Sequence, residues 1–380
     1  MKISITIISE KKLWRYPLLF GIIGAFIGLI LRYAFTGSSI VFPFKNVLHA
    51  HSHVMLLGFL FNALLALVWN NFTRGIDRVS YKLYIGLQLC MAIMIVAFIM
   101  QGYALYSILF STLHLWLSYI LLIRLWKRLV GNKFLIQLIK AGILFHFISS
   151  LGPYALGPLM VMDMKESPWY QQAIFFYLHF QFLGLFFTWM LAVLLQKTAA
   201  IITKKQVLGI VVSLVFLYAH SLDYNFDHWL IQLFGSFGSI LLFLILISFK
   251  RVFQKLENRF KIIYYIILTV AIINILGSIP VVAKLVVNNH FMLIAWLHFL
   301  FLGMYVPFIW VFLKQKISLY IWFLYGFTVI LSEAVLVFPN ELSQWFSISI
   351  MWLLFIIYLS MFLIITTVHL NYLVSRINTK

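Results

Sequence analysis

The chain has 380 residues, of which 64% are hydrophobic and 10% charged, and its formal net charge is +19. A soluble chain carries about 45–50% apolar and about 25% charged residues, so this one cannot bury its apolar surface in water and needs lipid as solvent. The basic balance does not point to nucleic acid, because Lys and Arg sit in short breaks between apolar runs, and a single cysteine, Cys90, excludes a disulfide framework and a cysteine metal centre.

Residues 1–15 are polar and lead into a full-length apolar span, which predicts an anchored first helix rather than a cleaved signal. Apolar runs of the length needed to cross a bilayer, about 20 residues, lie at 16–36, 47–69, 82–102, 104–126, 134–157 and 172–196. Six more lie at 207–222, 229–249, 262–286, 291–313, 318–338 and 346–370. No polar break between them is long enough for a soluble domain. The expectation is an all-α integral membrane protein of about twelve transmembrane helices, forming a single transmembrane domain over 1–380 in contact with the lipid bilayer.

Cytoplasmic loops retain Lys and Arg. The tail before the first run and the loops after every second run hold 23 of the 28 basic residues, among them Arg15, Arg74, Arg128, Lys205 and Arg259. Arg32, Lys45, Lys165 and Lys284 fall on the opposite side, and Lys140 lies inside the fifth run. Six of the nine acids, Asp163, Glu166, Asp223, Asp227, Glu333 and Glu341, share that opposite side. The unbroken alternation predicts cytoplasmic N and C termini. No Asp or Glu falls in the inner half of any span, so proton pumping from the cytoplasm is not expected, because a pump needs ionisable relays there.

A weak repeat runs through the second, sixth and tenth spans. His53-Val-Met-Leu-Leu57-Gly58 aligns with His179-Phe-Gln-Phe-Leu183-Gly184 and His298-Phe-Leu-Phe-Leu302-Gly303, at separations of 126 and 119 residues. Each separation equals four spans, which predicts three pseudo-repeated four-helix units, roughly 14–128, 134–250 and 260–375.

The repeat carries histidines. His51 and His53 lie about five residues into the second span, and His179 and His298 about seven into theirs, so all sit roughly 8–11 Å below the outer boundary. His114 and His146 are deeper, near mid-membrane. Imidazole is the commonest ligand for haem iron and copper, and polar side chains at bilayer depth mark function by default. Haem is therefore the expected cofactor, held by His51, His53 and His298. Copper or iron is the expected metal for His179, with His146 and His114 as further ligands. Interhelical hydrogen bonding is the ordinary alternative for any one of these histidines. His290, His220 and Glu333 are outer-side candidates; His369 is assigned no role. Gly58, Gly184 and Gly303, below the histidines, suit either a flat macrocycle against the backbone or close helix packing.

The segment His51-Ser-His53-Val-Met55-Leu56-Leu57-Gly58-Phe59 resembles the His-x-His-x-Met-Leu-x-Gly-Phe segment of the NnrS family, membrane haem proteins linked to nitric oxide response. Three four-helix arcs with histidines on helices 2, 6 and 10 also resemble the catalytic subunits of haem-copper oxidases and nitric oxide reductases. That resemblance implies His51 as a low-spin haem ligand and, from His290-x7-His298, His298 as the high-spin haem ligand. It also implies a cytochrome or quinol electron donor, a diatomic gas ligand and a bacterial inner (plasma) membrane. The sequence departs from that pattern at three places. Leu300 stands where the third helix 10 histidine belongs, Leu183 where helix 6 has Tyr or Glu, and the seventh span lacks a His-His pair. A complete copper site is therefore not visible. A haem-binding, haem-copper-oxidase-like membrane protein of respiratory or nitric oxide metabolism is the leading expectation; if catalytic, it would reduce NO or O2 at haem iron. Non-catalytic haem or copper handling and a cofactor-free transporter are the rivals.

Overall fold

The computed structural model describes residues 5–6, 10–198, 200–222, 228–313, 315–344 and 348–375, with side chains from Lys12 onward except at 287, 288 and 290. Asp223 and Asp227 lie outside these residues, as does the side chain of His290. Eleven helices among the described residues are long and apolar enough to cross a membrane. They are α1 (Glu10–Ala34), α2 (Phe44–Phe72), α3 (Arg78–Gln101), α4 (Leu105–Trp126), α5 (Lys133–Val161) and α6 (Pro168–Gln196), then α8 (Trp229–Ser248), α9 (Asn258–Gly277), α10 (Phe291–Phe312), α11 (Leu319–Val337) and α12 (Ile350–Ser375). An all-α membrane architecture is what these runs make. One pair of two-residue strands, Ile5–Thr6 and Ile76–Asp77, adds a short antiparallel contact.

The run at 207–222 differs from expectation. There α7 (Lys204–Phe216) tightens into a 3₁₀ turn over Leu217–Ser221. Because a 3₁₀ turn rises faster per residue, the two together still extend roughly 30 Å. The ninth run also ends early, at Gly277, because Pro280 has no N–H to continue the ladder and starts a separate short helix, Pro280–Asn288.

Helix starts follow local chemistry. Asn132 accepts from the N–H groups of Phe134 and Leu135, Ser318 from Ile321, and Thr203 forms a reciprocal capping box with Gln206. Asp77 caps α3 through Val79 and Ser80 and also takes Arg124 of α4 at 2.8 Å. A capping carboxylate and its counter-ion thus join two helix ends.

The most informative local feature lies in α2, α6 and α10. Each widens from α into π geometry directly after its motif histidine, at Val54–Phe61, Phe180–Phe186 and Phe299–Tyr305. A π turn shifts the hydrogen-bond ladder by a residue and loosens carbonyls from their ordinary partners. Polar side chains take those carbonyls up. Asn62 donates to the carbonyls of Leu57 and Gly58 at 3.0 and 2.9 Å, and Thr188, at the same repeat position, donates to those of Gly184 and Leu185 at 2.8 and 3.0 Å. In α10 that position is Pro307, which has no N–H to offer, and Tyr325 of α11 donates to the Leu302 carbonyl at 2.8 Å instead.

Chain contacts divide the protein into two compact units. Unit 1 comprises Met1–Asn70, Arg74–Leu125 and Phe291–Lys380; unit 2 comprises Asn71–Thr73 and Trp126–His290. In unit 1, α1 packs on α2 and α12, α2 on α3, and α11 on α12. In unit 2, α5 packs on α6, α7 on α8 and α8 on α9.

Candidate functional site

In unit 1, polar side chains from five helices gather where α1 ends and α2 begins. Arg32 comes from the last turn of α1, His51 from the start of α2, His298 from α10, Glu333 from the end of α11 and Tyr358 from α12. Arg32 lies within charge-interaction range of Glu333 and Tyr358, and His51 within that of His298 and Arg32. Gly28, one turn before Arg32, lets them approach. A Cβ there would strike the Tyr358 hydroxyl and the His51 Cε1.

Hydrogen bonding shows which nitrogen of each ring donates. His51 Nδ1 lies 2.9 Å from the Gly24 carbonyl, which can only accept, so Nδ1 carries the proton. His298 Nδ1 lies 3.1 Å from the Glu333 carboxylate and donates to it in the same way. Each ring keeps an Nε2 with no hydrogen bond among the described residues. His298 and Glu333 side chains are 27% and 14% exposed, so this pair is not sealed.

The remaining expected ligands are placed differently. His53 faces away from His51, as residues two apart on a helix must. Its Nε2 accepts from the Tyr103 hydroxyl at 3.1 Å, and its ring packs on Phe98. His114, buried on α4, lies edge-on to Phe61. In unit 2, His179 Nε2 donates to the Leu214 carbonyl at 2.8 Å and Nδ1 accepts from the Ser221 hydroxyl at 3.1 Å, which uses both nitrogens. His146 Nδ1 accepts from the Gln181 amide at 2.9 Å. His220 Nδ1 meets Gln232 at 3.2 Å, and its Nε2 meets Ser239 and Ser278, each at 3.1 Å. His290 starts its helix, its side chain outside the described residues.

These placements test whether the residues suit haem or a metal. Ligating histidines nearly always donate their other ring N–H to a carbonyl or carboxylate. His51 and His298 do so, and they fit an axial ligand's chemistry. His179 does not, because its lone pair is already used. No group of three or more His, Cys, Asp or Glu that could hold a metal ion occurs among the described residues. The glycines do not offer a flat cradle. A Cβ on Gly58 would meet Phe20 at 3.0 Å, on Gly184 Phe145 at 2.7 Å, and on Gly303 Phe299 at 2.8 Å. Gly58 and Gly184 are packed closely by side chains of neighbouring helices, whereas Gly303 is covered by Phe299 of its own helix.

Sequence reasoning missed three things here. Arg32 stood out only as a basic residue on the basic-poor side, and Tyr358 gave no signal among 19 tyrosines. His369 was assigned no role, yet it is fully buried in unit 1. Its Nδ1 donates to the Leu18 carbonyl and its Nε2 accepts from the Trp310 indole, both at 3.2 Å.

No protein-family model matches the chain, and no curated protein matches it.

Proposed function

We propose that this chain is a haem-binding membrane protein related to the haem-copper oxidase catalytic subunits, acting in respiratory or nitric oxide metabolism. The observation that supports it is the state of two rings: His51 and His298 each donate through Nδ1 and present an Nε2 lone pair. Haem, when bound, supplies an iron that exchanges electrons and takes a diatomic gas such as NO or O2. The protein's own contribution lies around it. The Gly24 carbonyl and the Glu333 carboxylate fix the two ring orientations and raise the basicity of each Nε2. Glu333 holds the Nδ1 proton of His298 and balances the charge of Arg32.

In the same reading α7 is the twelfth span, both termini are cytoplasmic, and the helices form three four-helix units in a bacterial inner membrane. Support comes from the alternation of basic loops and from the π segments that follow His53, His179 and His298 in one register. A cytochrome or a quinol is the electron donor.

The absorption spectrum of the purified protein tests the proposal. A Soret band is expected, lost or shifted in His51→Ala and His298→Ala and unchanged in His53→Ala. Wild-type protein without such a band overturns it. Consumption of NO or O2 by the purified protein separates a reductase from a haem-handling protein.

One observation favours a second reading, a cofactor-free ion-coupled transporter. Arg32 and Glu333 place opposite charges at bilayer depth while Phe20, Phe145 and Phe299 cover the motif glycines. Intramembrane charges of this kind mark transport pathways. Absence of the Soret band with solute uptake dependent on Glu333 selects it.

A further inference from the structure

Residues 126–162 hold four basic residues, Lys127, Arg128, Lys133 and Lys140, and no Asp or Glu. All four lie in unit 2, on the loop between α4 and α5 or on α5 itself. That loop is pinned at both ends of its turn. The Val130 N–H donates to the Phe72 carbonyl at 2.8 Å, and Asn132 caps α5. One face of α5 packs on α6, where the Trp189 indole donates to the Ile139 carbonyl at 3.1 Å. Another face carries Lys133, Gln137, Lys140 and Leu144, at the i, i+4, i+7, i+11 spacing of a single helix stripe. Lys133 and Leu144 are exposed and Lys140 is half-buried, so the stripe lies on the outside of the protein. Lys140 sits roughly 10 Å past the start of α5, within an apolar span. Helix side chains lean toward the N-terminus, here the loop end, and the ammonium follows that direction. It rests over Trp126, the last residue of α4, 4.9 Å from the ring centroid. Neither Lys140 nor Gln137 makes a side-chain hydrogen bond or ion pair among the described residues.

We propose that this stripe and the loop above it bind the headgroup of an anionic glycerophospholipid. A lysine in a span reaches back along its apolar stem to the interface, where tryptophan also settles. The anion within reach there is a lipid phosphate. Lys140, steadied on the Trp126 face, meets that phosphate, and the Gln137 amide serves the ester oxygens beneath it. Lys127 and Lys133 add positive charge at the headgroup level. Below them Leu144 and Ile148, 50% and 39% exposed, line the path of an acyl chain. Selectivity for an anionic lipid follows from charge. A zwitterionic headgroup brings its own cation, whereas four basic residues without an acid favour a phosphate whose charge is uncompensated. None of these residues is a proposed haem ligand, so the site stands apart from the haem proposal.

Native mass spectrometry of the delipidated full-length protein, titrated in detergent with phosphatidylglycerol or phosphatidylcholine, tests this. Saturable binding of phosphatidylglycerol is expected, about tenfold tighter than that of phosphatidylcholine. Lys140→Gln should weaken it about tenfold, the effect of losing one hydrogen bond to a charged group. Trp126→Leu, which removes the ring beneath the ammonium, should weaken it about threefold. Lys250→Gln removes the same charge from another basic stretch of unit 2 and should leave the affinity unchanged. Equal affinity for the two lipids overturns the proposal, as does wild-type affinity in a folded Lys140→Gln protein. An equal loss in Lys250→Gln also overturns it, because diffuse attraction by the net charge would then suffice. Displacement of the lipid by an equal concentration of soluble glycerol phosphate is a further contrary result, since it marks a free-anion site. If Lys140→Gln fails to fold, the wild-type lipid comparison and the Trp126→Leu titration decide.

Discussion

Replacing His369 by Ala should destabilise unit 1 while leaving any haem band intact. Three losses combine. The Trp310 indole N–H and the Leu18 carbonyl each lose a partner at 3.2 Å inside fully buried surroundings. The ring also vacates a place against Phe59, 5.5 Å between centroids, and beside Gly21, whose Cβ would sit 2.7 Å from the imidazole. Interhelical hydrogen bonds in membranes average about 0.6 kcal/mol and reach about 1.7, so the two bonds contribute about 1–3 kcal/mol. The cavity adds a comparable share, and the total should be about 2–6 kcal/mol. Reversible unfolding in mixed micelles, driven by increasing detergent denaturant, measures it. A double-mutant cycle with Trp310→Phe should return a coupling of about 1 kcal/mol for the indole–imidazole bond. A destabilisation under about 0.5 kcal/mol, the ordinary scatter of surface substitutions, would refute the reasoning.

Reporter fusions after Arg74, Arg128, Lys205 and Arg259 should all read as cytoplasmic, and a periplasmic signal at any two defeats the orientation. Asn62→Leu removes the donor that serves the Leu57 and Gly58 carbonyls and the reciprocal 3.1 Å pair with Gln88; it should cost about 1–3 kcal/mol, read by the same unfolding assay, whereas an unchanged midpoint contradicts the role given to Asn62. Gly184→Ala forces its methyl into Phe145, and overpacking of this kind should cost about 1–3 kcal/mol; Gly157→Ala, where nothing lies within 4 Å, is the neutral comparison. Liposomes under turnover should eject no protons, since Asp77, the acid nearest the α3 start, is held by Arg124 and two backbone N–H groups, and outward proton movement coupled to turnover would be the contrary result.

Solvent and periodicity made the membrane class and its helices legible from the chain alone. An apolar run of about 20 residues has one stable form in hydrocarbon, because only a helix satisfies every backbone group within the segment. Side-chain direction at two residues' separation follows from helix geometry, so the parting of His51 and His53 was also readable. The repeated His-x3-Leu-Gly was visible as letters, but its physical expression was not. A π turn leaves no composition signature, and it took the placed carbonyls to show why Asn62, Thr188 and Tyr325 sit where they do. The candidate site divides in the same way. His51 and His298 stood out by depth, yet which ring nitrogen is free depends on what lies 3 Å away on other helices, Gly24 on α1 and Glu333 on α11. His179 had the same depth and motif and is spent on Leu214 and Ser221. Depth is a property of one helix and can be counted along it. Hydrogen-bond state is a property of neighbours, and helix packing in a bilayer is set by side-chain fit between spans far apart in the chain. That is why Arg32, Tyr358 and His369 acquired meaning only in the folded protein.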